Sequence, residues 1–393
     1  MKDDTLLVHA GRDPERNFGI VNPPLYRAST ILYPTLAEFK ARSARKANWF
    51  SYGIDGTPTN FALADAIARL EGGHRTLLTS SGQSVINIAL LGFLKAGDHV
   101  LVADTVYGPT RNFCSGMLSR FGVETTYYDP LLGAEIAELM RENTRVVFME
   151  SPGTHTFEVQ DVPAIARVAR ERGVVSMIDN TWASPVCFKP IAHGVDISLH
   201  AVTKYLSGHS DLLLGCATAA DEETFQTLRE GMSAVGDSAS PDVCYQALRG
   251  MRTMGLRLRH QEQAALRIAG WLAARPEVKR VLHPGLPDDP GHALWKRDFS
   301  GASGLFGVLL HTESEDAAAA MIDPMQYFKI GNSWGGYESL IIPAYPGGNR
   351  TATSWTESGF LLRISIGLED VEDLTADLEA GLARLNEALK AAS

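Results

Sequence analysis

At 393 residues the chain is too long for one ordinary core, so it implies two or more domains, or one large α/β domain with an appendage. Hydrophobic residues at 45% and charged residues at 21% are globular values, and no apolar run reaches the roughly eighteen residues that a membrane span needs. A formal charge of −10 denies nucleic acid or an anionic membrane the basic patch either would require, so the expected partner is a small molecule.

The opening MKDDTLLVHAGRDPERN is acidic and lacks the basic and apolar regions of a cleaved signal, which places the protein in the cytoplasm. Residues 1–60, with Pro23, Pro24, Pro34 and Pro58, have too little periodicity for a domain and read as an arm that packs elsewhere, for instance on a second subunit. From 76 to about 219, short apolar runs alternate with amphipathic segments: RTLLTS with GQSVINIALLGFLK, HVLVAD with GPTRNFCSGMLSRF, VETTYY with GAEIAELMREN, and RVVFME with VPAIARVARERG, followed by VVSMID, DISLHAV and LLLGCATA. Strands apolar on both faces between helices predict a parallel sheet covered by helices, so residues 61–242 are expected to form a large domain. Past Pro241 the pattern changes to a long helix, GLRLRHQEQAALRIAGWLAARPEV, then the strands SGLFGVLLHT and GFLLRISIGL and a helix near 370–390. Residues 243–393 read as a smaller α+β domain. Cys114, Cys187, Cys216 and Cys244 are scattered without C-x-x-C spacing, which predicts buried, reduced thiols and neither a disulfide framework nor a zinc site.

In open parallel sheets ligands gather beyond the carboxyl ends of the strands. There the sequence places Ser80, Ser81 and Gly82 at a helix start suited to an anion, Tyr107 after the next strand, Glu150, Ser151 and Pro152 after another, and Asp179 at the end of VVSMID. Taken singly, a helix cap, a packed tyrosine and a turn-forming acid explain each. Lys204 follows DISLHAV, where partial burial would free its amine to attack an aldehyde, although most lysines are surface residues. A phosphate cradle, a carboxylate for a pyridine nitrogen, a stacking aromatic and a Schiff-base lysine together form the protein's half of pyridoxal phosphate chemistry.

Over nearly its whole length the chain also resembles the cystathionine lyases and synthases of the Cys/Met metabolism class of fold-type I pyridoxal phosphate enzymes. The phrases that carry the likeness are SYGIDGTPTNFALADAIARLEGG, DTVYGPTRNFC, ESPG, MIDNTWASPVCFKP, HAVTKYLSGHSD, SWGGYESL and RISIGLEDVEDLTADL, and NSWGGYESL with DPLLGAEI looks most like the bacterial β-lyases of that class. The resemblance implies a mostly parallel seven-stranded sheet, a smaller C-terminal domain and an N-terminal arm, assembled as a homotetramer of two catalytic dimers. It implies that Lys204 holds the cofactor and shuttles the proton, Asp179 pairs with the pyridinium nitrogen and Tyr107 stacks on the ring. Gly82 and Gln83 would cradle the phosphate with Thr203 nearby, joined by Tyr52 from a neighbouring subunit. Arg363 would bind the substrate carboxylate, with Ser333 and Trp334 lining the same end. The implied reaction is β-elimination of cystathionine to homocysteine, pyruvate and ammonia, a step of methionine biosynthesis. Other cysteine S-conjugates, γ-elimination, γ-replacement and sulfhydrylation use the same core residues and stay open.

One stretch departs from the family. Where the arm usually reads Tyr-x-Arg, this chain has Ile54 and Asp55, so a charge-assisted contact to the phosphate is missing. An inward-pointing Asp55 would repel the distal carboxylate of cystathionine and select a smaller or more basic substrate. Competing classes lack their signatures: there is no G-x-G-x-x-G after the first strand, no G-x-x-x-x-G-K-[ST] and no H-E-x-x-H. His200 and His209 flank Lys204 and read as packed or hydrogen-bonded residues, leaving a non-catalytic binding protein on the same fold as the remaining alternative.

Overall fold

The computed structural model describes residues 1–44 and 50–392. Among them the alternating segments form a seven-stranded sheet of β1 (Arg75–Thr79), β2 (His99–Ala103), β3 (Glu124–Tyr128), β4 (Thr144–Glu150), β5 (Val175–Asp179), β6 (Ile197–Ala201) and β7 (Gly215–Ala219), in the order β1-β7-β6-β5-β4-β2-β3. The run from β3 to β6 is parallel, as the two-sided burial of β2 and most of β4 requires. β7 is antiparallel to both neighbours, and its reason is local. The segment between β6 and β7 contains no crossover helix, so the chain can only return the way it came. That returning loop carries Lys204. LLLGCATA is strand only from Gly215, because Leu212–Leu214 belong to the loop.

The covering helices follow their sequence signals. Val162–Glu171 starts where the Asp161 side chain accepts the Ala164 N–H, has proline in its first turn, and buries Val162, Ile165, Ala166 and Ala169 at helical spacing against the sheet. GAEIAELMREN proves to be a 3-10 turn over Gly133–Leu139, and GPTRNFCSGMLSRF is an α-helix over Gly108–Phe113 that loosens to π geometry over Cys114–Leu118.

A second, antiparallel sheet is built from β8 (Val278–Leu282), β9 (Leu305–Leu310), β10 (Leu340–Pro343) and β11 (Leu361–Ser365), in the order β10-β11-β9-β8. Its alternation divides two environments. Phe306, Val308, Leu362 and Ile364 pack with helices Glu315–Ile322 and Val371–Ala392, whereas Leu305, Leu309 and Leu361 join the core of the large sheet. The long helix Met254–Ala273 belongs to two cores: Met254 and Leu258 pack with the N-terminal helix Asp3–His9 and with Pro58–Glu71, and Ala265, Ile268 and Leu272 pack in the small domain. A buried carboxylate adds a second link. Asp104, just beyond β2, is paired with Arg111 and accepts the N–H groups of Thr351, Ala352 and Thr353 at 2.7–3.2 Å. These bonds and Arg111 hold its carboxyl below the usual range against the opposing effect of burial.

Among the described residues no helix is long and apolar enough to cross a membrane, and no group of His, Cys, Asp or Glu could hold a metal ion. All four cysteines are buried thiols.

Candidate active site

The carboxyl ends of the large-sheet strands and one face of the small sheet enclose a cavity of about 690 Å³. Lys204, Asp179, Tyr107, Gly82, Gln83, Thr203, Ser333, Trp334 and Arg363 all line it, so most of the sequence candidates meet in one place.

Lys204 sits in a tight turn after β6, its N–H bonded to the Ala201 carbonyl at 3.1 Å and its carbonyl accepting the Gly208 N–H at 2.8 Å. The next residue anchors it: the ring of Tyr205 is buried, and its hydroxyl accepts the Gly304 N–H at 3.1 Å. The Lys204 Nζ donates to Ser333 Oγ at 2.6 Å and lies 5.4 Å from the centre of the Trp334 ring. Burial, helped by the nearby Arg363 and opposed by Asp179, pushes its amine down to about 8. About a tenth to a fifth is therefore the neutral, nucleophilic form near physiological pH, far more than for a lysine at its ordinary value of 10.5.

Asp179 ends β5 and accepts both the N–H (3.0 Å) and the hydroxyl (2.5 Å) of Thr181, whose oxygen in turn accepts the Ala201 N–H at 2.9 Å. Glu150 ends β4 in register with it. Two adjacent carboxyls share poorly hydrated ground, and burial raises both, Glu150 the more because Asp179 repels its charge, while His200 and Lys204 help Asp179 ionise. Glu150 also positions the aromatic: it accepts the Tyr107 N–H at 2.7 Å and the Thr154 hydroxyl. Tyr107 itself stands half in solvent.

At the end of β1 the Ser81 side chain caps helix Gly82–Phe93 by accepting the Ser84 N–H at 3.1 Å. The amides of Gly82 and Gln83 have no carbonyl inside the helix to bond and are left for a ligand. Glycine is required here: a Cβ on Gly82 would stand 2.6 Å from that of Ala201, and one on Gly215 would stand 2.2 Å from the Ser81 carbonyl. Thr203 reaches the cavity while its hydroxyl ties the loop to Leu214 by bonds of 3.2 and 3.1 Å. On the opposite wall Arg363, in the middle of β11, donates to the Ser333 carbonyl at 2.7 Å and is pushed down to about 10 by burial, with its buried Nε lacking any partner. Ser333 adopts a left-handed backbone (φ 77°), an uncommon conformation outside glycine that points its hydroxyl to Lys204.

Two candidates lie outside the cavity of their own chain. Tyr52 is exposed on the arm. Asp55, expected to point at substrate, turns its carboxylate onto its own segment instead, accepting Ser51 N–H (2.9 Å), Ser51 hydroxyl (2.8 Å) and Tyr52 N–H (3.1 Å). Three short-range donors meet one of its oxygens, so within its own chain Asp55 points along the arm turn and not into the cavity. His200 and His209 are hydrogen-bonded as expected, His200 to Glu71 in a buried pair and His209 to the Ser207 carbonyl at 2.6 Å. Sequence reasoning missed Thr154 and His155, which line the cavity from a loop without periodicity.

The pocket fits pyridoxal phosphate on its own terms. Unsatisfied helix amides face it at a cradle too tight for any Cβ, an amine of depressed basicity stands ready for an aldehyde, and a carboxylate lies within the same cavity to balance a protonated ring.

Comparison with known proteins agrees. The family model for the Cys/Met metabolism PLP-dependent enzyme matches residues 4–383. A putative cystathionine β-lyase of Rhizobium johnstonii is 50% identical over 97% of this chain and 96% of its own length, and the cystathionine β-lyase of Escherichia coli is 44% identical over 98% and 99%. Among solved structures, a cystathionine γ-synthase from Xanthomonas oryzae pv. oryzae superposes with a TM-score of 0.90 at 32% identity, covering 98% of this chain and 99% of that one.

Proposed function

Because the chain belongs to the Cys/Met metabolism family of pyridoxal-phosphate-dependent enzymes, we propose that it is a carbon–sulfur lyase that cleaves cystathionine by β-elimination. Water is taken up, and homocysteine, pyruvate and ammonia leave. The observation that carries the reading is the convergence of the Lys204 amine, the Asp179 carboxylate and the unpartnered Arg363 Nε on one cavity, in a chain whose full-length relatives bear that name.

Bound through Lys204, the cofactor supplies an electrophilic carbon and a ring that accepts the electrons released at the substrate Cα. Asp179 holds that ring's nitrogen protonated, and Gly82, Gln83 and Thr203 hold the phosphate. Arg363 fixes the amino-acid carboxylate through a planar fork, with Ser333 and Trp334 shaping that end. So oriented, the Cα–H would face Lys204, whose Nζ, set free when the substrate amine takes its place, takes the proton and returns one to the departing sulfur, a task Tyr107 can share from across the cavity. Glu150 keeps Tyr107 in place from behind.

The assembly we propose is a homotetramer of two catalytic dimers in the cytoplasm. In its support, a single chain leaves Phe18, Leu32 and Leu36 of the arm 98%, 87% and 67% exposed, apolar surface that a second copy would cover, and the four thiols are unpaired as in a reducing compartment. In that assembly Tyr52 reaches the phosphate of the neighbouring subunit. With Asp55 committed to the turn beside Tyr52, cystathionine is favoured over more basic conjugates. Incubating the purified holoprotein with cystathionine tests the reading. Pyruvate and homocysteine in equal amounts are expected, and 2-oxobutyrate with cysteine would replace it by γ-elimination.

A further inference from the structure

Beyond β4 the chain runs Glu150-Ser151-Pro152-Gly153-Thr154-His155, and His155 holds a left-handed backbone conformation, φ 68°. Few residues with a Cβ adopt it, histidine somewhat more readily than most. It is over-determined here: the Phe157 N–H bonds the Gly153 carbonyl at 3.0 Å, the Gly153 N–H bonds the Glu158 carbonyl at 3.0 Å, and the Thr154 N–H bonds the Thr105 carbonyl at 2.8 Å. The result is an imidazole set into the cavity wall.

Its neighbour on the small domain is fixed by register. The His155 carbonyl lies 3.3 Å from where a Cβ of Gly307 would stand, and Gly307 is the direct partner of Arg363 across β9 and β11. A larger residue than glycine would push the loop away from the arginine. Nδ1 of His155 is buried and has no partner, as has Nε of Arg363. A buried N–H without an acceptor is the rarer and costlier orphan, so the ring hydrogen belongs on the other nitrogen, Nε2. Burial and the charge of Arg363 push the imidazole down to about 4, so the ring is neutral at physiological pH. A neutral donor beside an arginine with an unused N–H suits a group with several acceptor oxygens and a negative charge.

We propose that His155 is a substrate-binding residue whose Nε2–H donates to the amino-acid carboxylate held by Arg363. This rests on reading the cavity as an amino-acid site, and it adds a recognition group that comes from the large domain. Arg363 and Ser333 then grip the carboxylate from one wall and His155 from the other, so the pair discriminates amino acids from plain amines.

The test is equilibrium binding of two unreactive probes to the holoenzyme, followed by the absorbance of the bound cofactor. L-alanine carries the carboxylate, and ethylamine is the same molecule without it. His155→Gly suits the backbone and removes the donor, His155→Phe keeps the ring volume without a donor, and His155→Asn tolerates the conformation and restores one. In the two donor-less variants alanine binding should weaken about tenfold while ethylamine binding changes less than about twofold, and Asn should recover most of the loss. Equal weakening of both probes, or no change in either, overturns the proposal; ethylamine binding also reports whether a variant has folded. Pyruvate release from cystathionine by the unmodified enzyme is scored separately. A protein that binds alanine in this way but releases no pyruvate leaves the role of His155 intact and removes the lyase reading.

Discussion

The two walls of the cavity are built on different rules. On the large-domain side Asp179 closes its parallel strand, and Tyr107 and Lys204 stand on the loops that follow β2 and β6, so the chemistry starts where each apolar run stops. On the small-domain side Arg363 stands in the middle of an antiparallel strand, between Leu362 and Ile364, which point into the other core. A parallel sheet buried on both faces has room for polar groups only at its edge, whereas an antiparallel sheet can give one face to a site along its length. The proposed division of labour largely follows the same line, with reaction on the large-domain wall and recognition chiefly on the small-domain wall, and His155 is the recognition group contributed from the opposite side.

Substitutions can break or sharpen that contrast. The largest effect is expected from Lys204→Ala, which removes both the covalent anchor and the proton carrier. Turnover should fall by more than about 10³-fold, and borohydride should no longer fix the cofactor to the protein. Arg363→Met should act mainly on KM, raising it about 10- to 100-fold through a lost charge-assisted pair while kcat falls less. The same change crosses from one wall to the other. Arg363 helps depress the Lys204 amine, so capture of an aldehyde by the apoprotein, with a midpoint at about pH 8 before substitution, should shift upward toward the ordinary lysine value of 10.5. The shift should be partial, because burial is the larger cause and remains. A midpoint that does not move would mean the walls are electrically independent. Asp55→Ala should have the smallest effect, a loss of about 1 kcal/mol from the arm turn seen as a small drop in melting temperature. A large change in KM for cystathionine in that variant would instead return Asp55 to the substrate.

How much could be read from the sequence divides along the same wall. Lys204, Asp179 and Tyr107 were legible from residues alone, because the end of an apolar run marks the sheet edge. Arg363 carries no such mark; LLRIS reads as a strand with a stray charge, and only the family likeness singled it out. The small sheet was half hidden as well. VKRVL follows the long helix with two basic residues inside it, and LIIP is four residues ending in proline, so β8 and β10 had no alternation long enough to notice. β7 was visible as a strand, but its antiparallel direction within the mostly parallel sheet was not, since orientation depends on whether a helix intervenes. His155 was invisible because its position follows from a backbone angle, and the orientation of Asp55 within its own chain was invisible because it depends on three donors from Ser51 and Tyr52 that carry no sequence signal.

The helix Met254–Ala273 is a spine common to both halves of the molecule, one end seated against the N-terminal segment and the other inside the small domain. A cut anywhere along it would strip apolar surface from both halves at once. Neither half is therefore expected to keep its native core when expressed alone.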